Sequence, residues 1–60
     1  MTLAEAMKLA EVFAAADNGC PVCVASICND ANSKGLGFKW TFVEGEMMSD
    51  NVVDVEEVKP

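Results

Sequence analysis

The stretch Asn18–Ala31, NGCPVCVASICNDA, holds the one strong break in the first half of the chain and all three cysteines. Gly19 suits a left-handed helix end, and Pro21 suits the first position of a new helix, where a missing N–H costs nothing. From there Cys20, Cys23, Val24, Ile27, Cys28 and Ala31 recur at the spacing that lays a stripe along one helical face. A strand would put Val22, Val24 and Ser26 on one side and Cys23, Ala25 and Ile27 on the other, leaving no polar face. A helix over Pro21–Ser33 instead leaves Ser26, Asn29, Asp30 and Ser33 to water, so the stretch reads as a hinge between two helices.

Upstream, Thr2-Leu3-Ala4-Glu5 spells a capping box, in which the hydroxyl accepts from the N3 amide and the Glu side chain accepts from the cap N–H. Strong helix formers fill Leu3 to Ala16, and Asp17-Asn18-Gly19 closes that helix. Leu3, Ala6, Met7, Ala10, Phe13 and Ala14 line the expected apolar side, widened by Leu9, Val12 and Ala16, with Glu5, Lys8 and Glu11 opposite. Its alanines admit a close neighbour, so this face is expected to serve the core and a second copy of the chain.

Downstream, Asn32–Gly37 is loop chemistry, and Phe38–Val43 alternates with period two in aromatic and β-branched residues, which predicts a strand. Phe38, Trp40 and Phe42 share the face expected to cover the helices, with the indole N–H seeking a partner at the edge. Glu44-Gly45 and Asp50-Asn51 are both turn signals. With both, Glu46–Ser49 is the short middle strand of a three-stranded meander; with the second alone, the segment is a long hairpin, irregular near Gly45. The last strand, Val52–Val58, sends Val53 and Val55 one way and Asp54 and Glu56 the other. The prediction is a single α+β domain over 1–60: two N-terminal helices packed on a small antiparallel two- or three-stranded C-terminal sheet.

Sixty residues bury only about 60% of their unfolded surface, so oligomerisation is a common support at this size. A hydrophobic content of 52% with a mean hydropathy of +0.22 argues against disorder despite the net charge of −6. The longest apolar run, Val12–Ala16, is far short of the roughly 20 residues a membrane helix needs. No basic segment precedes an apolar one, and three cysteines cannot all pair within the chain, so a reduced, cytoplasmic, homodimeric protein is expected.

The acidity is concentrated at one end. Residues 1–43 carry four acids against three lysines, net −1; residues 44–60 carry six acids against one lysine, net −5. Such a surface repels nucleic-acid phosphates and anionic lipids, and it favours a basic protein partner. The expected binding face comprises Glu44, Glu46, Asp54, Glu56 and Glu57, offered to a basic, nucleic-acid-binding groove of that partner. A stand-alone acidic chain of this size fits an inhibitor of viral or mobile-element origin.

Cys20-Pro21-Val22-Cys23 is the one local motif with chemical potential, because a helix N-terminus favours a thiolate. It resembles the Cys-Pro-x-Cys redox motif of glutaredoxins and related thioredoxin-fold proteins. The resemblance implies Cys20 as nucleophile and Cys23 as resolving thiol. It covers four residues, and the motif here follows a helix rather than a strand. Alternatively, Cys-x2-Cys is half of a tetrahedral metal site, for which Cys28 is at most a third thiolate and the fourth ligand comes from Asp17, Asp30 or another chain. Packing of the three thiols as small apolar residues carries most weight. There is no histidine, no nucleophile motif and no phosphate-binding loop, so neither an enzyme nor a cofactor is expected.

Overall fold

The computed structural model describes residues 1–47 and 50–58. Helix α1, Leu3–Ala14, begins at the complete capping box: Glu5 N–H donates to Thr2 Oγ1 at 3.2 Å and Thr2 N–H donates to Glu5 Oε1 at 2.8 Å. It stops two residues before the expected Ala16. A 3-10 turn, Ala16–Gly19, follows, in which Asp17 (φ 50, ψ 49), Asn18 (φ 58, ψ 29) and Gly19 (φ 83) are all left-handed. Asp and Asn are the non-glycine types that tolerate this region, and the run breaks the helical path between the two helices. Helix α2, Pro21–Ser33, starts with Cys20 as N-cap and Pro21 in its first turn, as predicted.

Strand β1, Phe38–Val43, pairs antiparallel with strand β2, Val52–Glu57, in the register Trp40 opposite Val55 and Thr41 opposite Asp54. Among the described residues the sheet has two strands. Of the expected middle strand, Glu46 and Met47 form a bend, and Met48 and Ser49 lie outside the described residues. Asn51 organises the connection: its Oδ1 accepts from Gly45 N–H at 2.8 Å and its Nδ2 donates to Gly19 O at 3.5 Å.

Helix α1 lies chiefly against β2, and α2 against β1. Between them sits one core of Ala6, Ala10, Phe13, Val24, Cys28, Phe38 and Trp40. Trp40 is its centre, 1% exposed, with its ring edge-on to Phe13 at 5.5 Å between centroids. Its indole N–H finds its partner deep in the core rather than at an edge, donating to Ala6 O at 3.0 Å. Small residues at Ala6 and Ala10 let the indole approach the helix backbone that closely.

The expected apolar side of α1 is broader than the surface it meets. Leu3, Met7 and Val12 stand 48%, 55% and 61% exposed. The two-stranded sheet covers the Ala6–Ala10–Phe13 line and little to either side of it.

Candidate functional site

The two edges of the sheet are treated differently. Trp40 N–H donates to Asn32 Oδ1 at 2.8 Å, and Asn32 Nδ2 donates to Trp40 O at 2.9 Å. An α2 side chain thus takes the place of a neighbouring strand. Because Trp40's backbone groups point to Asn32, the residues paired across the ladder by hydrogen bonds are Lys39/Glu56, Thr41/Asp54 and Val43/Val52. Val58 N–H, donating to Gly37 O at 2.9 Å, continues the same alternation. It follows that the backbone N–H and C=O groups of Val53, Val55 and Glu57 point away from β1. Among the described residues nothing hydrogen-bonds them.

A groove of about 350 Å³ runs beside this open edge, between β2 and α1. Leu3, Met7, Val53 and Val55 supply its apolar lining, and Glu11 and Asp54 its charge. The exposure of Leu3 and Met7 is therefore concentrated where the sheet ends. On the far side of the sheet, Lys39, Thr41, Asp54, Val55 and Glu56 surround a shallow hollow of about 210 Å³.

The five carboxylates expected to share a face are all exposed but are differently placed. Asp54 and Glu56 stand together on the outer face, with Lys39 opposite Glu56 in the register. Glu57 faces the other way by strand alternation, level with Phe38 at the sheet's end. Glu44 follows β1 directly, and Glu46 lies in the bend of the connection.

The turn between the helices forms a second cluster. Left-handed Asp17 carries its carboxylate back over the start of α2, where Cys23 Sγ–H donates to Asp17 Oδ2 at 3.2 Å. One oxygen of Asp17 and the sulfurs of Cys20 and Cys23 lie within 4.8 Å of one another. Cys20 and Cys23 are half-buried and Asp17 exposed. No capping hydrogen bond closes on the Cys20 side chain. The backbone N–H of Cys23 nevertheless favours its thiolate most, followed by the Cys23 thiol, and holds Cys20 below the ordinary cysteine range. Cys23 is pushed up to about 11, first by its bond to Asp17 and then by Cys20.

Cys28 does not join them. It lies five residues beyond Cys23, about 7.5 Å further along the helix axis, and is 3% exposed in the core, where burial raises its pKa. The expected trio of thiols is thus split, and Asp17, one of two carboxylates considered, completes the cluster in place of Cys28.

Compared with known protein families, curated proteins and solved structures, the chain matches none. The Asn32 clamp and the open edge of β2 were not readable in advance, since both depend on which backbone groups of Trp40 face α2. The groove had a signal in the surplus width of the α1 stripe.

Proposed function

We propose that the protein is a non-enzymatic acidic binding module that takes an extended, basic segment of a partner protein along the free edge of β2. The observation that carries this reading is the contrast between the edges: Asn32 closes β1 at Trp40, whereas β2 turns the backbone groups of Val53, Val55 and Glu57 outward beside the groove. An added strand satisfies those groups, and its alternate side chains divide between the groove and the outer face.

Charge selects the occupant. Asp54 and Glu56 are two residues apart on one strand face, roughly 7 Å, the spacing at which Lys or Arg at alternate positions of an added strand meet them. Glu11 supplies a further carboxylate at the groove, Glu57 adds one at the Phe38 end of the sheet, and Glu44 and Glu46 follow β1 at the opposite end. A second copy is a poorer occupant of this edge, since its own β2 brings Asp54, Glu56 and Glu57 against the same charges. Where the basic segment belongs to a nucleic-acid-binding surface, the module inhibits by standing in for the phosphates.

The test uses a synthetic decapeptide alternating Lys with Val, titrated into the labelled protein and followed by amide chemical shifts. Saturable shifts centred on Val53, Val55 and Glu57 are expected, weakening at least about tenfold in high salt or in an Asp54→Lys/Glu56→Lys variant. Equal binding of a Glu-Val decapeptide, or shifts centred on α2, would overturn the reading.

A further inference from the structure

We propose that Asp17, Cys20 and Cys23 form a three-ligand site for a thiophilic divalent cation, zinc foremost, with its fourth position open to solvent. This is independent of the binding edge, since the cluster lies at the turn between the helices and uses none of the same residues.

The geometry is close to what the ion requires. Zinc binds thiolate sulfur at about 2.3 Å and carboxylate oxygen at about 2.0–2.2 Å, so a tetrahedral site spaces its ligand atoms roughly 3.5–3.8 Å apart. The three atoms here already lie within 4.8 Å of one another, and Asp17 Oδ2 and Cys23 Sγ are 3.2 Å apart. A point equidistant from three atoms at the outer limit is about 2.8 Å from each, so side-chain rotations of about half an ångström close the site.

Backbone structure holds the ligands in that arrangement before any ion arrives. Cys20 and Cys23 are a helical i, i+3 pair at the N-cap and third residue of α2, so both sulfurs project from the same end of the helix. Asp17 reaches them only because it and Asn18 are left-handed; a continued α1 would carry its carboxylate away.

The donor set selects the metal. Two thiolates and one carboxylate suit zinc or its analogues cobalt(II) and cadmium, and are poor ligands for magnesium or calcium. On binding, M²⁺ takes the place of the proton shared between Cys23 and Asp17. Two thiols and one carboxylate become two thiolates and one carboxylate on the ion, and two protons pass to solvent. The assembled site carries a charge of −1 where the ligands alone would carry −3.

The experiment is a cobalt(II) titration of the full, metal-free chain under a non-thiol reductant, followed by displacement with zinc. One equivalent per chain is expected, with the charge-transfer intensity of two thiolates and the visible bands of tetrahedral cobalt. Cys20→Ser or Cys23→Ser should weaken binding at least a hundredfold and Asp17→Asn at least tenfold, while Cys28→Ala should change it less than twofold. Circular dichroism confirms that each variant keeps its helices; Asn tolerates the left-handed backbone at position 17. No saturable band, a band that survives Cys20→Ser, dependence on Cys28, or half an equivalent per chain with four thiolates would each overturn the proposal.

Discussion

The side-chain amide of Asn32 holds the backbone of Trp40 at both ends, accepting from its N–H at 2.8 Å and donating to its C=O at 2.9 Å. The pair ties the last turn of α2 to the residue at the centre of the core. It also blocks strand addition at the middle of the β1 edge.

Asn32→Ala leaves both Trp40 backbone groups without partners in a half-buried setting. A loss of about 2–3 kcal/mol is expected in urea denaturation, with faster hydrogen exchange at the Trp40 amide. Asn32→Asp keeps an acceptor for the N–H but sets a carboxylate oxygen against the Trp40 C=O, so it should rescue only part of the loss. An Asn32→Ala variant as stable as the parent would show that the clamp contributes nothing.

Gly45→Ala tests the connection. A Cβ at Gly45 would stand 2.7 Å from the backbone carbonyl carbon and oxygen of Asp50, neither of which can rotate away. A cost of about 1–3 kcal/mol is expected, read as a lower urea midpoint at unchanged slope. Gly35→Ala is the contrast: φ is +66 but the surroundings are open, so only the left-handed penalty of roughly 1–2 kcal/mol applies.

Much of this architecture was legible in the sequence because it rests on local chemistry. The capping box, the Gly19–Pro21 break and the alternation of Phe38, Trp40 and Phe42 each specify backbone geometry within a few residues. The parts that were not legible depend on contacts between distant segments. Leu3 and Met7 have the right spacing for a core stripe, but burial depends on how wide the opposing sheet is. Asp17 and Asn18 carry no marker that distinguishes a left-handed pair from a helix end closed by Gly19 alone. Cys20, Cys23 and Cys28 share a stripe on paper, yet the stripe runs from a half-buried helix end into the core. Glu57 was grouped with Asp54 and Glu56 by charge, although strand alternation already assigns it to the side of Val53 and Val55.

The N-terminal cap makes stability pH-dependent in a direction that can be worked out. The Thr2 backbone N–H, and then its hydroxyl, hold the Glu5 carboxyl below its usual value. A carboxyl with a lowered folded pKa stabilises the fold above its unfolded pKa and loses that contribution as pH falls through the folded value. The melting temperature of the parent should therefore drop more between about pH 5 and pH 3 than that of Glu5→Gln, which cannot ionise yet retains a capping acceptor. Thr2→Ala should cost about 1 kcal/mol at neutral pH. Parallel melting curves for the parent and Glu5→Gln across that range would rule the cap out as the source.

Cys28 provides a probe of the core that does not depend on any metal. It is 3% exposed, and burial pushes its thiol up, so both access and thiolate fraction oppose its modification in the folded chain. Cys20 and Cys23 are only half-buried at the turn, where the Cys20 thiol is held below its ordinary range and the Cys23 thiol, bonded to Asp17, is pushed up to about 11. Treatment of the reduced, metal-free protein with iodoacetamide should add one group quickly at Cys20, a second more slowly at Cys23, and the third only through the small population of opened domain. Urea above the unfolding midpoint should bring all three to the same order of rate. Substituting Asn32→Ala should accelerate the third modification about tenfold for each 1.4 kcal/mol of stability lost, because a lower opening free energy raises the open population that reacts. Three equally fast modifications in native buffer would mean that α2 does not bury its Cys28 side against β1, and the assignment of Cys28 to the core rather than to the turn cluster would fail with it.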